Sequence, residues 1–279
     1  MTRIYQTFYK LFPEHEWEFV ALDEILALHY RKRLENLQRP TFDEVQSQMQ
    51  KAADEMGAYL LAVEHDEEPS TEQFPIKALA EYLKYYLRFL GNSYLVKSAS
   101  LLEGFVWSIN IKSAHLAALT LRQEIEVLAV AHDAHYFTTS GKFERDPVKV
   151  IQHVAQLLFG VKDRRAFPIW DSIEDTGYVA NNILNAIDRF DSCEKEELSE
   201  SWLRDTYSSY SELVHPNFGS NIVHVKDNQH FWKIDYGNNK ALLEQFLVDG
   251  TMVFGRTIDL ISKLLAEDLE IGFEFIPRD

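Results

Sequence analysis

Apolar residues recur at three- and four-residue steps along most of this chain, the spacing that gathers them on one face of an α-helix. Pro13, with Glu14 and Glu16 in the first turn, opens a predicted helix that carries Trp17, Val20, Leu22, Ile25 and Leu28 to about Leu37 and closes at Arg39-Pro40. Thr41-Phe42-Asp43-Glu44 has the form of a capping box for a second helix reaching about Val63. Glu64 to Gln73 is charged and contains a proline, so it reads as a connector. It divides an N-terminal helical hairpin, residues 1–68, from a helical body, residues 69–279. In the body, the pattern predicts a helix from Pro75 to a Gly91-Asn92 C-cap and another from about Tyr94 to Ile109. Further helices follow over about Lys112–Phe137, Asp146–Phe159, Glu174–Phe190, Glu194–His215 and Asn239–Glu267. β-rich stretches at Asn221–Val225 and His230–Tyr236 flank Lys226-Asp227-Asn228-Gln229, and predict a short β-hairpin inserted near 221–236.

Composition agrees with an all-α protein. Only 11 glycines and 8 prolines occur among 279 residues, and 46% of the chain is hydrophobic, enough for a substantial core. The single cysteine, Cys193, excludes an internal disulfide and a cysteine-based zinc site, which fits a reducing cytoplasm. The first residues have no signal-peptide core, and charges at Arg122, Glu124 and Glu126 interrupt the longest apolar run, so a soluble cytoplasmic protein without membrane contact is expected. A formal net charge of -16 weakens any sequence-wide attraction to nucleic acid, although local basic clusters such as Lys162-Asp163-Arg164-Arg165 remain.

Two stretches carry candidate chemistry. Arg122 and Glu126 lie four residues apart on the long predicted helix, where they share a face and can pair. Such a pair either pins the register of a bundle or presents the planar guanidinium fork to a phosphate or carboxylate. Downstream, Tyr207, Tyr210, Ser211 and Val214 recur at helical steps until Pro216 forces His215 out of the α region and stops the helix. Asn217 and Gly219 tolerate the turn that follows, with Asn221 just beyond. His215 is then one turn from the Ser211 hydroxyl, in a setting equally suited to an active-site imidazole and to a packed helix stop.

Together, Arg122-Gln123-Glu124-Ile125-Glu126 and Tyr210-Ser211-Glu212-Leu213-Val214-His215-Pro216-Asn217 resemble the motifs of HEPN-like helical proteins, largely uncharacterised bacterial proteins. The resemblance spans about Asn110 to Glu267. It implies a helical bundle, often a homodimer, and for many members a metal-independent ribonuclease of toxin or anti-phage type that needs no cofactor. On that analogy His215 serves as general acid or base, Arg122 stabilises phosphorane charge, and Ser211, Tyr210 or Asn217 holds a phosphate oxygen. Glu126, Asn217 and Asn221 complete the binding residues. The cleaving members carry an arginine, then four to six residues, then the histidine, whereas this chain has Ser208, Ser209 and Tyr210 at the corresponding positions, with Arg204 further upstream. The partners the resemblance implies are RNA or a partner protein, and it also accommodates a catalytically silent module that binds a partner protein or a nucleotide ligand.

A third reading rests on Ala131-His132-Asp133-Ala134-His135, which resembles the doublet of metal-dependent HD phosphohydrolases. His132 and His135 are three residues apart and could share a divalent metal with Asp133; the same residues also suit a solvated helix end. His115 precedes the doublet on the same helix and His153 follows on the next. Phe231, Trp232, Tyr236 and His224 offer aromatic surface on the predicted hairpin, for a partner or for the core.

Overall fold

The computed structural model describes residues 74–140, 142, 150, 153, 154, 156, 157, 180–195, 198, 201–215, 225–228, 231–234 and 240–266, together with Leu22 and Ile25. The described part is predominantly helical. Helices α1 (Phe74–Asn110), α2 (Ala114–Thr139), α3 (Ala180–Glu194), α4 (Trp202–Val214) and α5 (Lys240–Leu264) follow in chain order, with strands β1 (Val225–Asn228) and β2 (Phe231–Ile234) between α4 and α5. The expected N-terminal hairpin over residues 1–68 lies outside the described residues apart from Leu22 and Ile25, as do most of the 146–159 segment, Asn217 and Asn221. No helix among the described residues is long and apolar enough to cross a membrane.

The chain divides into two compact units, one of Met1–Glu35, Ser93–Asp133 and Val179–Lys263, the other of Asn36–Asn92, Ala134–Tyr178 and Leu264–Asp279. The first unit buries Leu102, Phe105 and Ile109 from α1, Leu121, Ile125 and Leu128 from α2, and Ile187 and Phe190 from α3. Leu203 from α4 and Phe246, Val253, Phe254 and Ile261 from α5 complete its core. Phe105 packs against Phe254 with ring centroids 5.8 Å apart. Gly250 makes room for it, since a Cβ there would fall 2.7 Å from the Phe105 ring. In the second unit Leu83, Leu87 and Leu90 are buried, as are Val150, Val154 and Leu157.

Three boundaries differ from expectation. The expected C-cap at Gly91-Asn92 is absent, and α1 runs through it unbroken. Gly91 answers a packing demand instead: a Cβ would come within 2.9 Å of Leu265 Cδ2. The real stop is at Lys112, whose φ of 58 is left-handed. Lys112 N–H donates to Ile109 O at 2.9 Å and Ser113 N–H to Ser108 O at 2.8 Å, the paired bonds of a Schellman cap. α2 consequently starts at Ala114, just beyond Lys112.

The segment expected as one helix from Glu194 to His215 is interrupted. α3 continues to Glu194, and α4 begins only at Trp202. Ser201, at the N-cap, makes no side-chain cap bond. Asp191, from the end of α3, takes over that role: its Oδ1 accepts Leu203 N–H at 2.8 Å and its Oδ2 accepts Arg204 N–H at 3.0 Å. Burial pushes the Asp191 carboxyl up, and these two bonds oppose that shift. Asp191→Ala leaves both amides without their carboxylate and is expected to destabilise the protein by about 1–2 kcal/mol in chemical denaturation, with Asp191→Asn intermediate.

The strand boundary differs as well. β1 and β2 pair antiparallel with Asn228 opposite Phe231 and Val225 opposite Ile234. Lys226, Asp227 and Asn228, expected in the connection, are therefore inside the first strand. Composition placed the turn at the first polar residue, whereas the pairing register leaves only positions 229–230 between the strands.

Candidate functional site

The helix periodicity that builds α2 also sets Arg122 and Glu126 on one face, and the two form an ion pair at 3.2 Å. Tyr207 and Ser211 have the same four-residue spacing on α4. The two faces meet. Arg122 Nε donates to Ser211 Oγ at 3.1 Å, and Arg122 Nη2 donates to Tyr207 Oη at 2.9 Å. Tyr207 Oη in turn donates to Glu126 Oε1 at 3.2 Å. The guanidinium also lies 5.1 Å from the centre of the Tyr207 ring. At 22% and 26% exposure the Arg122 and Glu126 side chains are partly screened from water, so the bonds are stronger than those of a fully exposed pair.

A further contact fixes the direction of the pairing. His115, in the first turn of α2, places Nδ1 2.9 Å from Leu213 O. A carbonyl only accepts, so Nδ1 carries the proton in this bond. From His115 through Arg122 to Glu126, α2 thus meets Leu213, Ser211 and Tyr207 in descending order, and the helices run antiparallel.

His215 follows directly. Its backbone is extended, with φ -72 and ψ 147, as expected for a residue before proline, and its N–H donates to Ser211 O at 2.9 Å. The residue is exposed, one turn beyond the Ser211 that Arg122 holds. Burial pushes the Tyr207 phenol up, Glu126 adds to that shift and Arg122 opposes it, so the cluster carries a neutral phenol between a cation and an anion.

Arg122, Glu126 and Ser211 are thus brought together beside the turn that bears His215. Tyr210 is not among them. It is buried, its Oη donates to Asp249 Oδ2, and its ring meets Phe246 edge-on at 5.1 Å. Gln245 Nε2 donates to the other oxygen of Asp249 at 2.9 Å. The expected role of Tyr210 in holding a phosphate oxygen does not fit this position; the phenol in the cluster is Tyr207. The matching four-residue spacings of Arg122–Glu126 and Tyr207–Ser211 were the signal for it. Asn217 and Asn221, expected to border the site, lie outside the described residues.

The His-Asp doublet has a different environment. Asp133 is buried and forms an ion pair with Arg189. His132 meets the edge of Phe190 at 5.1 Å. Arg189 occupies the place beside Asp133 that a divalent cation would need, and its charge opposes one. Among the described residues no group of three or more His, Cys, Asp or Glu side chains could hold a metal ion. The metal-dependent phosphohydrolase reading therefore has no geometric support from His132, Asp133 and His135. The aromatic hairpin residues His224 and Tyr236 are outside the described part of the chain.

Comparison with protein-family models, with curated proteins and with solved structures gives no match to this chain.

Proposed function

We propose that this chain is a HEPN-like helical protein in which the cluster of Arg122, Glu126, Tyr207 and Ser211, with His215 at its edge, is a site for the phosphate of RNA or a nucleotide, and that the site binds without cleaving. The observation that carries the reading is the way Arg122 is held. Ser211 and Tyr207, from a helix far along the sequence, orient its guanidinium through Nε and Nη2, and the Nη1 edge is uncommitted among the described residues. A planar fork fixed in advance by its own protein recognises an anion with little loss of side-chain freedom.

Binding is favoured over cleavage by the charges around His215. Glu126 offsets the charge of Arg122, so little net positive potential is left to stabilise a phosphorane. The nearest upstream arginine before His215, Arg204, pairs with Asp188 at 3.1 Å. A second reading, ribonuclease of toxin or anti-phage type, is favoured by one feature: His215 is exposed beside the cluster and can exchange a proton with a ribose hydroxyl. The inserted hairpin and a homodimeric HEPN-like assembly belong to the same proposal.

Incubation of the purified protein with a fluorescently labelled single-stranded RNA at low ionic strength separates these outcomes. The binding reading predicts saturable binding, weakened at least tenfold in Arg122→Ala, with intact RNA recovered from wild type and His215→Ala alike. Cleavage by wild type that His215→Ala abolishes transfers the proposal to the ribonuclease. Absence of binding to RNA and to mononucleotides by a folded protein rejects both.

A further inference from the structure

Tyr136 and Phe137 are consecutive residues in the last turn of α2, where neighbouring positions point about 100° apart. Their rings stand at 85° to each other with centroids 6.0 Å apart, as two walls of a corner. A cation of the chain itself occupies that corner. Lys142 Nζ lies 4.5 Å from the centre of the Tyr136 ring and 3.9 Å from that of Phe137. With the 6.0 Å between the rings, these distances close a triangle whose nearly right angle is at the ammonium. A right angle there, between planes at 85°, puts the nitrogen near the axis of both rings, facing two π-clouds at once.

His153 backs the corner. It stacks on Phe137 with centroids 4.0 Å apart and planes 29° apart. At these distances Lys142 Nζ and His153 cannot share one face of the ring without overlapping, so Phe137 is sandwiched between them. Burial pushes the His153 imidazole down to about 4, and Lys142 adds to that shift. At neutral pH the ring behind Phe137 is therefore uncharged and does not weaken its attraction for a cation. All four residues belong to the second unit and are half-buried, so the corner is built within one unit and is partly open to solvent.

We propose that the Tyr136–Phe137 corner is a binding site for a methylated ammonium group, and that Lys142 is a tethered competitor which the ligand displaces. A primary ammonium fits such a place poorly, because it gives up hydrogen bonds to water that aromatic faces replace only weakly. An ammonium whose N–H groups are replaced by methyls has none to lose, and it covers the same two faces with polarised methyl groups. Lysine also loses much rotamer freedom when its ammonium is held, which makes it easier to displace. The net charge of -16 favours the approach of cations to the chain. Binding makes and breaks no covalent bond.

The test is a titration of the full-length protein with choline and with a short peptide carrying one trimethyl-lysine, followed by NMR of the Tyr136 and Phe137 ring protons. Saturable shifts are expected in both wild type and Lys142→Ala, with Lys142→Ala binding about 2- to 30-fold more tightly because its competitor is gone. The tighter of the two probes tells whether the head group arrives free or on a protein chain. The uncharged isostere 3,3-dimethylbutan-1-ol is expected to bind at least tenfold more weakly than choline, and Phe137→Leu in the Lys142→Ala background to abolish the shifts of Tyr136. Wild type shows the same shifts at higher concentration, so the result does not depend on the folding of a variant. Rings that respond to neither probe, or equally to choline and its uncharged isostere, overturn the site. These readouts concern the second unit alone, so they are independent of whether the Arg122 cluster binds RNA.

Discussion

Phe105→Ala is expected to destabilise the protein by about 3–5 kcal/mol, measured as the loss of unfolding free energy in chemical denaturation. The ring is fully buried, 5.8 Å from the Phe254 ring, and closes directly on Gly250 of α5. Removing it leaves a cavity between α1 and α5, and Gly250 has no side chain to fill it. The converse change has the same sign. Gly250→Ala puts a methyl group 2.7 Å from Phe105 Cε1, which an aromatic ring in a full core cannot yield to cheaply. A loss of about 1–3 kcal/mol is expected there. Combining Gly250→Ala with Phe105→Leu should cost less than the sum of the two, because the smaller side chain vacates the space the methyl needs.

Arg122→Ala is expected to cost about 1.5–3 kcal/mol in the same measurement, and to abolish most phosphate binding. The substitution removes charge-assisted bonds to Ser211 and Tyr207 and leaves the partly buried Glu126 facing only the Tyr207 phenol. Arg122→Lys should recover part of the stability and little of the binding, since one ammonium cannot span Ser211 Oγ and Tyr207 Oη as the fork does. If the cluster serves only to pin α4 on α2, the two losses will instead track each other across Arg122→Ala, Arg122→Lys and Ser211→Ala.

Much of the helical architecture was legible from periodicity, because α1, α2 and α5 bury apolar residues at the three- and four-residue steps seen along the chain. The boundaries were less so, for reasons that lie outside any local window. Gly91 looked like a cap, but its small size serves the approach of Leu265, far along the sequence. Lys112 gave no local sign of a left-handed stop, since lysine is not a residue that favours that region. The break between α3 and α4 depends on Asp191 reaching forward to the amides of Leu203 and Arg204, while the intervening residues read as one continuous helix.

The site shows the same division. The Arg122–Glu126 ion pair follows from spacing within one helix, and the extended His215 follows from Pro216; both could be read locally. Which tyrosine faces Arg122 could not. Tyr207 and Tyr210 are one helical step apart, and the choice between them depends on the side from which α2 approaches α4. Tyr210 turns to Asp249 on α5 because α5 lies on its side of α4. A tyrosine-serine-glutamate string emphasises the buried residue, whereas the face that meets Arg122 is carried by Tyr207 and Ser211.

The account stands on the meeting of α2 and α4 through Arg122, and a double-mutant cycle between Arg122→Ala and Tyr207→Phe measures that contact most directly. Denaturation of the two single variants and the double variant should give a coupling of about 1 kcal/mol or more, because either substitution alone already removes the shared bond. Additive losses, within about 0.3–0.5 kcal/mol, would mean that the guanidinium and the phenol do not touch in solution, and would contradict the site as described.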